Sequence, residues 1–91
     1  MRCLALVATG RVQGVGYRDR VLRAAEAQGI VGSVRNAEDG SVEIVAQGEE
    51  GALKRFVEAV HGKAGLSDAR EVRLLAEREV EPALSRFRIV R

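Results

Sequence analysis

Tryptophan is missing from this chain, and one tyrosine and two phenylalanines are its only aromatic residues. So few rings, with no aromatic pair on one strand, leave little for base stacking, and no nucleic-acid partner is expected. Cysteine occurs once, at Cys3, which excludes an internal disulfide and a multi-cysteine metal site. A reducing cytoplasm is the simplest compartment for such a chain, and filling space in a strand the simplest role for Cys3. Histidine also occurs once, at His61, near a predicted helix end where a dipole or solvent role suits it. A zinc centre or a catalytic triad therefore lacks an adequate set of groups, and no metal or other cofactor is expected. No apolar run is long enough to cross a bilayer, so a membrane partner is not expected either. The opening Met1-Arg2-Cys3-Leu4-Ala5-Leu6-Val7-Ala8 is too short for a signal-peptide core, and Gly10-Arg11-Val12-Gln13 follows where a small-residue cleavage site would be needed.

What is present suits one small globular domain spanning residues 1–91. A chain of 91 residues has room for one core, and its 46% hydrophobic content is spread along the sequence rather than massed. The net charge of +2 comes from mixed signs throughout, which describes a solvated surface better than a nucleic-acid groove.

Residues Arg2 to Thr9 read as a mostly buried first strand. From Tyr17 the period changes: Tyr17, Val21, Ala24 and Ala25 share a helical face, while Asp19, Arg20, Arg23 and Glu26 take other faces and Gly29 stops the helix. Ile30 to Ala37 and Ser41 to Gln47 flank Glu38-Asp39-Gly40, a tight-reversal signal, and are expected to form a hairpin. Leu53, Phe56, Val57 and Val60 give a second amphipathic helix ended by Gly62. Lys63 to Asp68 reads as a loop, followed by a strand carrying Val72, Leu74 and Ala76 that Glu81-Pro82 interrupts. Phe87, Ile89 and Arg91 alternate with Arg86, Arg88 and Val90 in a short last strand. The order β-α-β-β-α-β plus a final strand predicts an α+β, ferredoxin-like (split βαβ) sandwich. It would have an antiparallel sheet, two helices on one face and a short extra C-terminal strand.

That fold serves many activities, so function must come from a site. The most unusual segment is Gly10-Arg11-Val12-Gln13-Gly14-Val15-Gly16-Tyr17-Arg18, between the first strand and the first helix. Glycines let backbone N–H groups approach an anion, a helix start adds unpaired donors, and an arginine can grip phosphate oxygens with two parallel bonds. Taken alone, the segment fits a loop that merely turns the chain about as well. It lacks the Lys-Ser/Thr ending of a nucleotide-binding P-loop and does not match a dinucleotide fingerprint. A second segment runs Gly32-Ser33-Val34-Arg35-Asn36-Ala37-Glu38-Asp39-Gly40-Ser41-Val42-Glu43, in which Asn36 by itself reads as a strand-end or turn residue. Asp39 has a turn role, Glu43 a strand-surface role, and Phe56 and Phe87 belong to the core.

Together the two segments resemble the acylphosphatase family in residues, order and spacing, over nearly the whole chain. The first matches a G-R-V-Q-G-V-x-[FY]-R phosphate loop, the second a G-x-V-x-N strand followed by a D-G turn. The resemblance implies hydrolysis of the carboxyl–phosphate bond of small acyl phosphates to carboxylate and inorganic phosphate. It also implies that Arg18, with the main chain of Gln13, Gly14, Val15, Gly16 and Tyr17, holds the phosphate, and that Asn36 orients the attacking water. A monomer is expected, with small acyl phosphate and inorganic phosphate as its partners. A non-catalytic anion-binding or protein-interaction domain on the same scaffold is the alternative, and an acylphosphatase-like domain of a hydrogenase-maturation carbamoyltransferase is disfavoured by the short chain. Two positions depart from the pattern: Ser33 stands where many members carry tryptophan, and Gly62-Lys63 replaces a Gly-Pro step.

Overall fold

The computed structural model describes residues 1–81 and 85–90. The chain runs β1 (Arg2–Arg11), α1 (Tyr17–Gln28), β2 (Val31–Asn36), β3 (Val42–Gly48), α2 (Glu50–Val60), β4 (Gly62–Ala64), β5 (Ser67–Glu79) and β6 (Phe87–Val90). The strands form one sheet in the order β4-β5-β1-β3-β2-β6. Its inner four strands follow the split βαβ arrangement, as the ferredoxin-like expectation requires.

Alternation along β1 sets the layers. Leu4, Leu6 and Ala8 are buried on the helix side together with Val42, Ile44 and Ala46 of β3, because their register places Leu4 beside Ala46 and Leu6 beside Ile44. Val21 and Ala25 of α1, and Leu53, Phe56 and Val60 of α2, close the same cluster from above. The Phe56 and Phe87 rings meet at a centroid distance of 6.0 Å with a tilt of 54°, an edge-favouring geometry that ties β6 to α2. On the other face Cys3, Ala5 and Ser33 are half-buried, and Val45, opposite Ser33, stays 39% exposed.

The C-terminal third differs from the expectation in two ways. Lys63 to Asp68 is not an open loop: Gly62–Ala64 pairs antiparallel with Ser67–Ala69, leaving only Gly65 and Leu66 to turn between them. Gly62, Lys63 and Ala64 are too few to carry a hydrophobic period, so the short strand has no sequence signal of its own. The sheet is also mixed rather than wholly antiparallel, since β6 pairs parallel with β2 through Gly32↔Phe87 to Arg35↔Val90. After β5 the chain crosses to the far edge and enters it in the same direction as β2. The expected interruption at Pro82 and the final Arg91 lie outside the described residues.

Gly32 shows what holds the site strand in place. Its φ is +141°, and a Cβ there would overlap the Val45 carbonyl oxygen, so β2 packs against β3 only with glycine at this position.

Candidate active site

The loop between β1 and α1 supplies donors without internal partners. Gly16 caps α1 with φ +79° and ψ 15°, left-handed values that a side chain would strain. This conformation starts the helix abruptly, and the first helical bond runs from the Arg20 N–H to the Gly16 carbonyl at 3.1 Å. The N–H groups of Tyr17, Arg18 and Asp19 precede that bond and belong to the unsatisfied donors at a helix start. No N–H from Gln13 to Gly16 donates to a backbone carbonyl among the described residues. The result is a run of partial positive charge at one end of the sheet.

These groups border a cavity of about 260 Å³ lined by Gly14, Gly16, Tyr17, Arg18 and, from the end of β2, Asn36. Val12 and Ile89 add apolar wall, and Asp19 stands on the rim. Arg18 is half-buried and has neither ion pair nor side-chain hydrogen bond among the described residues, although every arginine carries five N–H donors. Asn36 is more telling: its Oδ1 is buried without any hydrogen-bond partner. A buried acceptor left unpaired costs on the order of 1–3 kcal/mol, so such atoms concentrate where a ligand or a water belongs.

Of the residues singled out by sequence, Arg18, Asn36, Gly14, Gly16 and Tyr17 therefore meet at one cavity. The side chains of Gln13 and Val15 do not line it. Val15 packs against the core, and Gln13 turns its amide toward the β2–β3 turn, donating to the carbonyls of Ala37 and Ser41 at 2.8 Å each. That turn is closed by the expected Asp39, whose carboxylate accepts from the Ser41 hydroxyl at 2.6 Å and the Ser41 N–H at 2.9 Å. Those bonds hold the Asp39 carboxyl below the usual aspartate range.

Tyr17 serves the frame as well as the cavity wall. Its ring is buried and its hydroxyl donates to the Val60 carbonyl at 2.8 Å. Burial pushes this phenol up to about 12, only partly offset by Arg20, whose guanidinium carbon lies 5.5 Å from the ring centre. Arg20 itself was readable only as a surface residue of the helix. It instead gathers carbonyls at and just beyond the end of α2, donating to Ala59, His61 and Gly62 and to the Ser67 hydroxyl. A cation at a helix C-terminus opposes the negative end of the dipole, so Arg20 caps α2 while standing on α1. His61, exposed, contributes its carbonyl to that cap.

Ile89 and Asp19 were not anticipated at the site. The period-two alternation of Phe87 and Ile89 carries a signal for the first, because residues of one strand face share neighbours. Among the described residues, no three His, Cys, Asp or Glu side chains converge to hold a metal ion, and no helix is long and apolar enough to cross a membrane.

Known proteins resemble this chain in sequence and in fold. The Acylphosphatase family model matches residues 4–89. An acylphosphatase of Bacillus subtilis is 41% identical over 85 residues, 93% of this chain and 92% of its own length. One of Lactiplantibacillus plantarum is 45% identical over 82 residues, covering 90% and 89%. The crystal structure of acylphosphatase from Bacillus subtilis superposes over the whole of both chains with a TM-score of 0.93 at 38% identity. The chain whose unpaired arginine and asparagine share this cavity belongs to the acylphosphatase family.

Proposed function

We propose that the protein hydrolyses the carboxyl–phosphate bond of small acyl phosphates, with Arg18 and the N–H groups of the β1–α1 loop holding the phosphoryl group and Asn36 orienting the attacking water. The observation that carries this reading is the pairing of two groups of opposite kind in one cavity: a guanidinium with no ion-pair partner among the described residues and a buried carboxamide oxygen without a donor there. An anion satisfies the first and a water molecule the second.

The chemistry asks for little more. A carboxylate is a stable anion at neutral pH, so the leaving group needs no general acid. Phosphoryl transfer responds chiefly to in-line placement and to stabilisation of charge on the equatorial oxygens, which donors at a helix start and a guanidinium supply. Asn36 is no base, but its Oδ1 can accept one water hydrogen and thereby direct the water's lone pair at phosphorus. As the water–phosphorus bond forms, the acyl oxygen takes the electrons of the breaking bond, and the proton passes to a phosphate oxygen or to bulk water. The reading is of a single-domain monomer, and the lone free cysteine suits a reducing cytoplasm.

Benzoyl phosphate hydrolysis without added metal, with inorganic phosphate as a competitive inhibitor, tests the assignment. Asn36→Ala is expected to lower kcat by about 10²–10³-fold, the effect of removing one preorganised hydrogen-bonding group, while phosphate inhibition stays within about twofold of wild type. A folded Asn36→Ala protein with wild-type kcat would exclude the water-orienting role. Preference for phosphate monoesters, whose alkoxide leaving groups need more help, would overturn the substrate class.

A further inference from the structure

We propose that Gln13 is a positioning residue, which sets the place of Asn36 relative to the phosphate cradle by bonding the neck of the β2–β3 turn. The inference rests on the water-orienting assignment of Asn36 and adds a residue that acts through it.

The cavity is assembled from two chain segments that belong to different elements. Arg18 and the loop donors follow β1, whereas Asn36 ends β2, and β3 lies between those two strands in the sheet. No backbone ladder therefore joins the loop to the turn that follows Asn36. The Gln13 amide makes that connection. Its Nε2 donates both hydrogens, one to the carbonyl of Ala37, the residue next to Asn36, and one to the carbonyl of Ser41, the residue before Val42, which is Asn36's register partner. The same two carbonyls already accept within the turn, Ser41 from the Ala37 N–H at 2.9 Å and Ala37 from the Gly40 N–H at 3.3 Å. The amide thus sits across a neck that is closed without it, so the turn's own fold does not require Gln13. What Gln13 adds is the link from that neck to the loop.

A link of this kind matters most to the reaction. Loss of orientation by about 1 Å can cost up to about 10²-fold in rate even when the groups that bind substrate are intact. The phosphate grip itself depends on Arg18 and on the loop's own N–H groups, which the link leaves in place.

The experiment measures kcat and KM for benzoyl phosphate, inhibition by inorganic phosphate, and urea midpoints for Gln13→Met, Asn36→Ala and the double variant. Methionine keeps the length and packing of glutamine without its N–H donors. Gln13→Met is expected to lower kcat about 10-fold, with phosphate inhibition changed less than about twofold. In the Asn36→Ala background the same substitution is expected to leave kcat unchanged, because residues acting as one unit are not additive. Gln13→Lys, which restores donors on a side chain one atom longer, is expected to recover most of the lost rate, and it serves as the test should Gln13→Met fail to fold. Three outcomes would overturn the proposal while Asn36→Ala remains impaired: wild-type kcat in Gln13→Met, a loss that multiplies in full with that of Asn36→Ala, or a Gln13→Lys protein as slow as Gln13→Met. Wild-type kcat in Asn36→Ala would instead identify the water-orienting reading as the failure, and the role of Gln13 would fall with it.

Discussion

Along the start of α1, Tyr17 and Arg20 face α2 with their polar atoms engaged, whereas Arg18, between them in sequence, lines the cavity with no protein partner among the described residues. The two regions differ in what their charges do for the fold. Arg20 is a cation against the carbonyl end of α2, where the dipole favours it. Arg18 is a cation in the first turn of its own helix, where the dipole opposes it. A residue that breaks a local rule without a compensating contact marks a site kept for something other than stability.

The largest test of that contrast exchanges the two arginines' fates. Arg18→Ala is expected to reduce acyl phosphate turnover by about 10³-fold or more, as for other guanidinium groups on a transferring phosphoryl. It should leave stability unchanged or raise it by about 0.3–1 kcal/mol, since an unfavourable charge leaves the helix start and alanine is the best helix former. Arg20→Ala is expected to do the opposite, costing about 2 kcal/mol by removing a charged donor from several carbonyls, while the folded protein keeps kcat within a few-fold of wild type. Urea midpoints and kcat on the same preparations decide it. Equal loss of stability in both variants would erase the distinction.

The second test uses the buried phenol. Tyr17 titrates near 12 in the fold and near 10 when unfolded. The folded state therefore holds the proton longer, and the stability Tyr17 contributes is complete below pH 10 and is lost as pH rises toward 12. Two units correspond to about 2–3 kcal/mol of alkaline destabilisation. Tyr17→Phe is expected to begin about 1 kcal/mol less stable at pH 7, with the Val60 carbonyl deprived of its donor, and to show a shallower decline between pH 10 and 12. Parallel curves for the two proteins would show that another group carries the alkaline transition.

The same contrast explains what could be read in advance. Tyr17 to Gly29 and Leu53 to Val60 carry their helical period in consecutive residues, and Asp39-Gly40 marks its turn locally, so both helices and the hairpin were legible. Arg18 and Asn36 were legible as a pair only through their motif context, because unpaired donors and an unpaired acceptor are properties of a folded cavity. The partners of Gln13 lie 24 and 28 residues away and those of Arg20 39 to 47 away, so their bonds leave no mark in local spacing. Likewise β6 has an alternation that predicts a strand but nothing that fixes its neighbour, and its parallel pairing with β2 follows from where the crossing chain arrives.

The smallest effect concerns Asp19, the acidic residue beside the unpaired donors. In the first turn of α1 its charge suits the positive helix end, yet on the cavity rim it would repel the anion proposed to bind there. The two roles oppose each other, and the exposed position makes both modest. Asp19→Asn is expected to tighten inhibition by inorganic phosphate about two- to threefold at low ionic strength and to lower stability by a few tenths of a kcal/mol as the helix start loses its anion. The gain in phosphate binding should shrink as salt rises, because screening acts on an exposed charge within about 10 Å at 0.1 M. Asparagine keeps the size and hydrogen-bonding capacity of the side chain, so a change in affinity reports the charge. Phosphate inhibition that is unchanged at low salt, or weaker, would mean that Asp19 does not share the field of the cradle. The negative charge would then belong with Tyr17 and Arg20, on the structural side of the turn.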